Sequence, residues 1–245
     1  SLKNIIPADE KVTSGVNLSE SLTGVYTLGA YAFAKCSSIQ IVRLNHQITK
    51  MPSHCFDEAS NINRLTHIID STIEEDGFHL NAEVNTIGEY AFRKNNVFTT
   101  ITIPETVTSL GEYAFTECEK LNSAILNNNA LSNGLFASCP KFNNCVINEQ
   151  ITLIGAYAFY NDTQMQNLIF SNDTVNTNGL QLINNITSIG EYAFFACGLI
   201  GSSAYPLVLG DNLRTIGDYA FFGMTQITDF VIPTNIEKIG EGALG

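Results

Sequence analysis

A right-handed repeat solenoid, with a parallel β-sheet on one face and turns or short 3-10 segments on the other, is the fold this sequence predicts. Three observations carry it. The segment Gly-x-Tyr-Ala-Phe recurs at Gly29–Phe33, Gly88–Phe92, Gly111–Phe115, Gly155–Phe159, Gly190–Phe194 and Gly217–Phe221, and degenerate copies end at Phe56, Phe136 and Leu244. Apolar columns keep register with it. Five residues earlier stand Leu28, Met51, Ile87, Leu110, Leu131, Ile154, Ile189, Ile216 and Ile239, and the column eight residues earlier is apolar except at Asn128. Nine and eleven residues after the phenylalanine comes an alternating pair, as in Val42/Leu44, Ile101/Ile103, Ala124/Leu126 and Leu168/Phe170. Self-similarity at a near-fixed period is the mark of a stacked repeat architecture.

Each element follows from these columns. Period-two alternation predicts a short strand with one buried face. A unit of about 23 residues holds one such strand and cannot close a core alone, so successive strands stack in parallel about 4.8 Å apart. The Gly-x-Tyr-Ala-Phe segment then makes the opposite wall as a tight turn. Residues 25–245 read as about nine such repeats, and residues 1–24, which match poorly, as an N-terminal cap or flanking segment covering the first coil. The spacing widens to 36 between Phe56 and Phe92 and to 35 between Phe159 and Phe194. The insertions responsible, near 69–83 and 171–185, fall at the same point of the repeat and are expected to project from one edge. Each carries a similar run, Gly77-Phe-His-Leu80 and Gly179-Leu-Gln-Leu182, which suggests paired extra strands. The last copy, Gly240–Leu244, has no polar cap after it, so the expectation is a longer chain or a covered last coil.

Composition restricts the partners. A formal charge of −12 repels nucleic-acid backbones and anionic membranes. No apolar stretch approaches the roughly 20 residues of a membrane span, and the start, SLKNIIPADE, lacks a signal pattern, so any export signal or anchor is expected outside this chain.

Several motifs favour bland readings over chemical ones. Cys36, Cys118, Cys139 and Cys197 all stand three residues after the phenylalanine, which makes them one repeat column of buried free thiols and not a metal cluster or disulfide set. The terminal Gly240-Glu-Gly-Ala-Leu-Gly245 spells a dinucleotide fingerprint, but no βαβ unit surrounds it and it is the final repeat copy. There is no HExxH, G-x-S-x-G or P-loop, and His46, His54, His67 and His79 are scattered, so no catalytic residue, cofactor or metal is expected. His67 stands at an inward strand position and reads as a core histidine. The acidic column Glu89, Glu112, Glu191, Asp218 and Glu241 reads as solvated surface at the start of a turn before it reads as a cation ladder. The tyrosine column (Tyr31, Tyr90, Tyr113, Tyr157, Tyr192, Tyr219) reads as a structural ladder before it reads as a stacking platform.

The combination of Ser-Ile-Gly-Glu-Tyr-Ala-Phe-x-x-Cys with proline after the strand (Ile103-Pro104, Ile232-Pro233) closely resembles the BspA-like, Treponema-type leucine-rich repeat family over about residues 25–245. The resemblance implies a leucine-rich-repeat solenoid and a surface protein of bacteria or protists that adheres to host matrix proteins or other cells. It thus implies a non-enzymatic cell-surface or secreted binding module, with an extracellular or host-matrix protein, or another cell surface, as partner. A structural spacer presenting another domain and a carbohydrate-binding accessory are the alternatives. A protein partner would lie on the outward strand positions, drawn from Ile41, Arg43, Arg64, Thr66, Thr100, Thr102, Ile125, Val146, Ile169 and Val231, which are expected to line one continuous face. The apolar run Ile125, Val146, Ile169 and Val231 fits exposed binding surface and simple strand propensity equally.

Overall fold

The alternation after Phe33, Phe56, Phe92, Phe115, Phe136 and Phe159 does make strands, and they stack as the repeat requires. The computed structural model describes residues 16–18, 27–45, 47–68, 77–80, 82–172, 178–182, 185–227 and 231–245. In chain order the strands of the first half are β1 (Val16–Leu18), β2 (Ile41–Asn45), β3 (Lys50–Met51), β4 (Arg64–Ile68), β5 (Gly77–His79), β6 (Thr86–Ile87), β7 (Thr100–Ile103), β8 (Ser109–Leu110) and β9 (Ser123–Leu126). Those of the second half are β10 (Asn144–Ile147), β11 (Leu153–Ile154), β12 (Asn167–Phe170), β13 (Leu180–Leu182), β14 (Ser188–Ile189), β15 (Leu207–Leu209), β16 (Thr215–Ile216) and β17 (Lys238–Ile239). There is no helix among the described residues.

A coil passes through three segments. The longer strands form one wall as two parallel sheets, β1-β2-β4-β5 and β7-β9-β10-β12-β13-β15. Two-residue strands form a second wall, β3-β6-β8 and β11-β14-β16-β17. The third wall is the Gly-x-Tyr-Ala-Phe segment. Registers repeat residue for residue: Ile101, Ala124, Cys145 and Leu168 align inward, as do Ile103, Leu126, Ile147 and Phe170. All of these are buried, and with Phe33, Phe56, Phe92, Phe115, Phe136, Phe159, Phe194 and Phe221 they make one continuous core. Neighbouring rings of that phenylalanine column stack with centroids 5.1 to 6.1 Å apart.

The turn wall consists of consecutive hydrogen-bonded turns and not 3-10 helix. In the first, Ala32 N–H donates to Gly29 at 3.2 Å and Cys36 N–H to Phe33 at 3.2 Å, and the third residue of each turn, Tyr31 and Lys35, has φ of 61° and 57°. That is the arrangement of a type II turn, which normally places glycine or asparagine there. Here the tyrosine column takes the strained conformation, at about 1–2 kcal/mol each. Contacts with the next coil offset it: Tyr192 N–H donates to Asp218 O at 2.8 Å, Phe194 N–H to Ala220 O at 2.8 Å and Ala196 N–H to Phe222 O at 2.8 Å. The rings stack as well, Tyr157 on Tyr192 at 5.0 Å and Tyr192 on Tyr219 at 5.1 Å. The repeat glycine serves the same close approach. A Cβ on Gly190 would stand 2.4 Å from Ala156 N, and one on Gly111 2.3 Å from Glu89 N.

Part of each of the two insertions departs from the expected projection. Their runs become rungs of the main wall: β5 pairs parallel with β4, and β13 sits between β12 and β15. The reason is local, since Phe78, Leu180 and Leu182 are buried side chains at strand spacing and join the core as any other strand does. Residues 69–76 and 173–177 lie outside those described.

Candidate functional site

The outward strand positions share a wall, but not one unbroken sheet. The wall divides between β5 and β7, which are not hydrogen-bonded to each other. On the first sheet Arg43, Thr66 and His79 stand in register, as do Ile41, Arg64 and Gly77. On the second, Thr100, Ser123, Asn144 and Asn167 form one row and Thr102, Ile125, Val146 and Ile169 the next.

The first row of the larger sheet is a polar ladder. Thr100 and Ser123 hydroxyls lie 3.1 Å apart, Asn167 Nδ2 donates to Asn144 Oδ1, and Gly179 N–H donates to Asn167 Oδ1 at 2.7 Å. The second row is apolar beyond Thr102. Ile125 is 38% exposed, and Val146 and Ile169 are half-buried. Buried Gln181 follows on β13, and Val208, exposed, resumes the row on β15.

Of the expected face residues, Thr100, Thr102 and Ile125 are exposed, and Ile41, Arg43, Arg64, Val146 and Ile169 are half-buried. Thr66 is a correction: it is only 4% exposed, because its short side chain lies between the longer Arg43 and His79 of the neighbouring strands. Val231 is a second correction. It is 82% exposed and stands outside every described strand, so it does not extend the Ile125 row, and residues 228–230 lie outside those described. The reading of His67 concerns a side chain outside those described.

Val208 and His79 were missed by sequence reasoning. The loop Gly198–Tyr205 displaces the strand after Phe194 to Leu207–Leu209, so no alternating pair appears nine and eleven residues on. The wider spacing between Phe194 and Phe221 was the available signal. Where the wall divides, a cleft of about 700 Å³ opens beside Thr100 and Thr102, walled by Phe78, His79, Leu80 and Phe98.

The opposite, turn wall holds the charges. Burial alone would raise the Asp57 carboxyl, but hydrogen bonds from Arg93 and His54 and their charges outweigh it and hold it below the ordinary carboxylate range. Arg93 Nε donates to Asp57 Oδ1 at 2.7 Å and Nη2 to Glu58 Oε1 at 3.0 Å, while Lys94 reaches Glu58 and Glu117 at 3.8 and 3.6 Å. The acidic column is engaged locally: Glu112 accepts from Asn133 Nδ2 at 3.0 Å and Glu241 from Tyr219 Oη at 2.9 Å. Among the described residues no three acidic, histidine or cysteine side chains group as metal ligands.

Of the cysteine column, Cys118, Cys139 and Cys197 are free, buried and structural, whereas Cys36 is free and half-buried. Cys118, Cys139 and Cys197 Sγ each lie 3.1 to 3.4 Å from the carbonyl of the preceding turn's phenylalanine, Phe92, Phe115 and Phe159, and donate to it. Burial pushes the Cys145 and Cys197 thiols well above their ordinary pKa, so they are inert thiols and not nucleophiles. No helix among the described residues is long and apolar enough to cross a membrane.

Comparison with known proteins agrees with this geometry. A leucine-rich repeat protein from Bacteroides ovatus superposes with a TM-score of 0.54 at 19% identity, over 94% of this chain and 76% of its own. The pneumococcal vaccine antigen PcpA gives a TM-score of 0.50 at 15% identity, over 97% of this chain and 62% of its own. At these identities the likeness shows the fold alone. No curated protein sequence matches the chain. The pattern of the BspA type leucine rich repeat region, in six copies, matches residues 14–80, 71–179 and 169–245. This chain therefore belongs to the BspA-type leucine-rich repeat family.

Proposed function

We propose that this chain is a non-enzymatic binding module of a cell-surface or secreted protein, holding a protein partner on the outward face of its strand wall. The observation that carries the reading is the row Ile125, Val146 and Ile169. These side chains stand on registered neighbouring strands, point outward and lie beside an uncharged polar row. An apolar row on a solenoid's sheet offers buried area to a partner, and the flanking hydroxyls and amides supply hydrogen bonds at its rim. Family membership supports the non-enzymatic binding reading, since leucine-rich repeats of this type generally mediate protein interaction and are typically non-enzymatic. A matrix protein or a protein of another cell is the partner a cell-surface setting favours. Of residues 1–24, expected as an N-terminal cap or flanking segment, Val16–Leu18 pairs parallel with β2 as a rung of the strand wall.

The spacer reading rests on one fact, that β-branched residues favour strands whether or not anything binds them. A pull-down of matrix proteins and intact cells with the wild-type chain and its Ile125→Asp/Val146→Asp/Ile169→Asp variant separates the two. Capture that the variant loses, with circular dichroism unchanged, is the expected result. Equal capture by both would refute the strand-face site, and no capture at all would favour the spacer.

A further inference from the structure

The turn wall carries a block of rings that the fold does not require. The residue directly after the phenylalanine column is Ala34, Asp57, Arg93, Thr116 and Ala137 in the first coils and then Tyr160, Phe195 and Phe222 in three consecutive ones. Small or charged side chains close the same turn elsewhere, so closure does not explain aromatic ones. Phe222 is 38% exposed, and Tyr160 and Phe195 are half-buried. Tyr160 stacks on Phe195 at 5.0 Å and Phe195 on Phe222 at 5.5 Å, and each leans on the tyrosine of its own coil. The outcome is a two-column apolar strip at the surface, in a place where the other coils put small or charged side chains.

Charge divides this wall into two halves. In the first, Lys35, Arg93 and Lys94 stand against Asp57, Glu58 and Glu117. In the second, the segments 155–162, 190–198, 217–224 and 240–245 contain no lysine, arginine or histidine. The ion pairs among the described residues leave out Glu191, Asp218 and Glu241, whose carboxylates border the tyrosine column. Apolar surface beside a row of carboxylates that have hydroxyl and amide partners but no cationic one matches a cationic and partly apolar ligand. Most ring faces are used in stacking, so a sugar or a base has little to lie on, while an anionic membrane is repelled by the same carboxylates.

We propose that this strip binds a short, extended basic segment of a partner protein. Its lysine or arginine head groups pair with Glu191, Asp218 and Glu241, and their aliphatic stems and neighbouring apolar residues lie along Tyr160, Phe195 and Phe222. The three coils span about 10 Å, enough for three or four residues at about 3.3 Å each, so the contact is weak and reversible. It is independent of the strand-wall site, which lies on another wall.

The test is an NMR titration of the uniformly ¹⁵N-labelled chain with an octapeptide of alternating lysine and valine, and with one in which glutamate replaces lysine. Amide shifts confined to residues 155–162, 190–197, 217–224 and 240–245, with the lysine peptide only, are the expected result. Tyr160→Ser/Phe195→Ser weakens binding about tenfold, whereas Ile125→Asp/Val146→Asp/Ile169→Asp leaves it unchanged. Should the serine variant lose its fold by circular dichroism, Glu191→Gln/Asp218→Asn, which removes charge from surface positions, replaces it with the same expectation. Absent shifts, shifts spread over acidic residues elsewhere, equal shifts with the glutamate peptide, or undiminished binding by the folded variant overturn the proposal.

Discussion

Asp162 occupies the position that Cys118, Cys139 and Cys197 take in other coils, and it is fully buried. Its Oδ1 accepts from Cys139 N–H at 2.7 Å, while Oδ2 has no partner. Burial pushes its carboxyl well above the ordinary range, which favours the protonated form in the folded chain. The linkage follows directly: below about pH 4 both folded and unfolded states hold the proton, and as pH rises only the unfolded chain releases it, so stability falls. Asp162→Cys, which supplies a thiol able to donate to the preceding turn as Cys139 does, should therefore gain about 1–3 kcal/mol at neutral pH. Urea unfolding at pH 3.5 and 7.5 should show that gain mainly at the higher pH, and equal gains at both would refute the linkage. Asp57 behaves oppositely. Its carboxyl is held low, so its contribution is present above about pH 4 and lost as pH falls through the folded value. Arg93→Leu strands this buried carboxylate with His54 and should cost about 1–3 kcal/mol. Asp57→Asn in the Arg93→Leu background should recover part of it, and a double-mutant cycle in chemical denaturation checks the coupling.

At the scale of the turn, the repeated glycine answers a steric demand that differs from coil to coil. Gly190→Ala would place a methyl 2.4 Å from Ala156 N, backbone that cannot rotate aside, while Gly29→Ala would meet nothing within 4 Å. The first should cost several kcal/mol, on the scale of the larger overpacking penalties of about 3 kcal/mol, and the second should be near neutral. Thermal melts of the two variants make the comparison, and equal losses would mean that the turn needs glycine for its backbone conformation instead. The tyrosine ladder also shows the limit of a column reading. Gly134 replaces the tyrosine between Tyr113 and Tyr157, and Gly134 has φ of 60° like its aromatic counterparts. The left-handed turn conformation is thus the invariant, and the ring is one way of stabilising it.

Across the whole molecule the two insertions change the balance between walls. Between Phe33 and Phe92 the turn wall rises by two ring separations, 5.1 and 5.2 Å. Over the same interval the strand wall goes from β2 through β4 and β5 to β7, two hydrogen-bonded steps at about 4.8 Å and a third across the division of the sheet. The strand wall is therefore locally longer, and the division of the sheet between β5 and β7 falls there. Phe78 fills the wedge, packing edge-on against Phe92, Phe98 and Phe115 at 5.1 to 5.6 Å. Phe78→Ala should then cost about 3–5 kcal/mol, as for a central core phenylalanine. A loss below about 1 kcal/mol in guanidinium denaturation would return this insertion to a tolerated loop.

The solenoid, its inward columns and the structural role of the buried cysteines are legible in the residue order alone, because a repeated buried position leaves the same residue type at the same offset in most coils. Leu65, Ile101, Ala124, Cys145 and Leu168 could be placed without coordinates for that reason. Tertiary structure decided what the columns could not encode. Alternation places Thr66 outward, yet its neighbours Arg43 and His79 cover it. Gly77–His79 and Leu180–Leu182 have the pattern of strands, but only stacking shows that they enter the main wall. The residue after the phenylalanine varies freely along the sequence, and only the superposition of three coils brings Tyr160, Phe195 and Phe222 into one strip. Exposure and adjacency between coils depend on neighbours far away in the chain, and no local period records them.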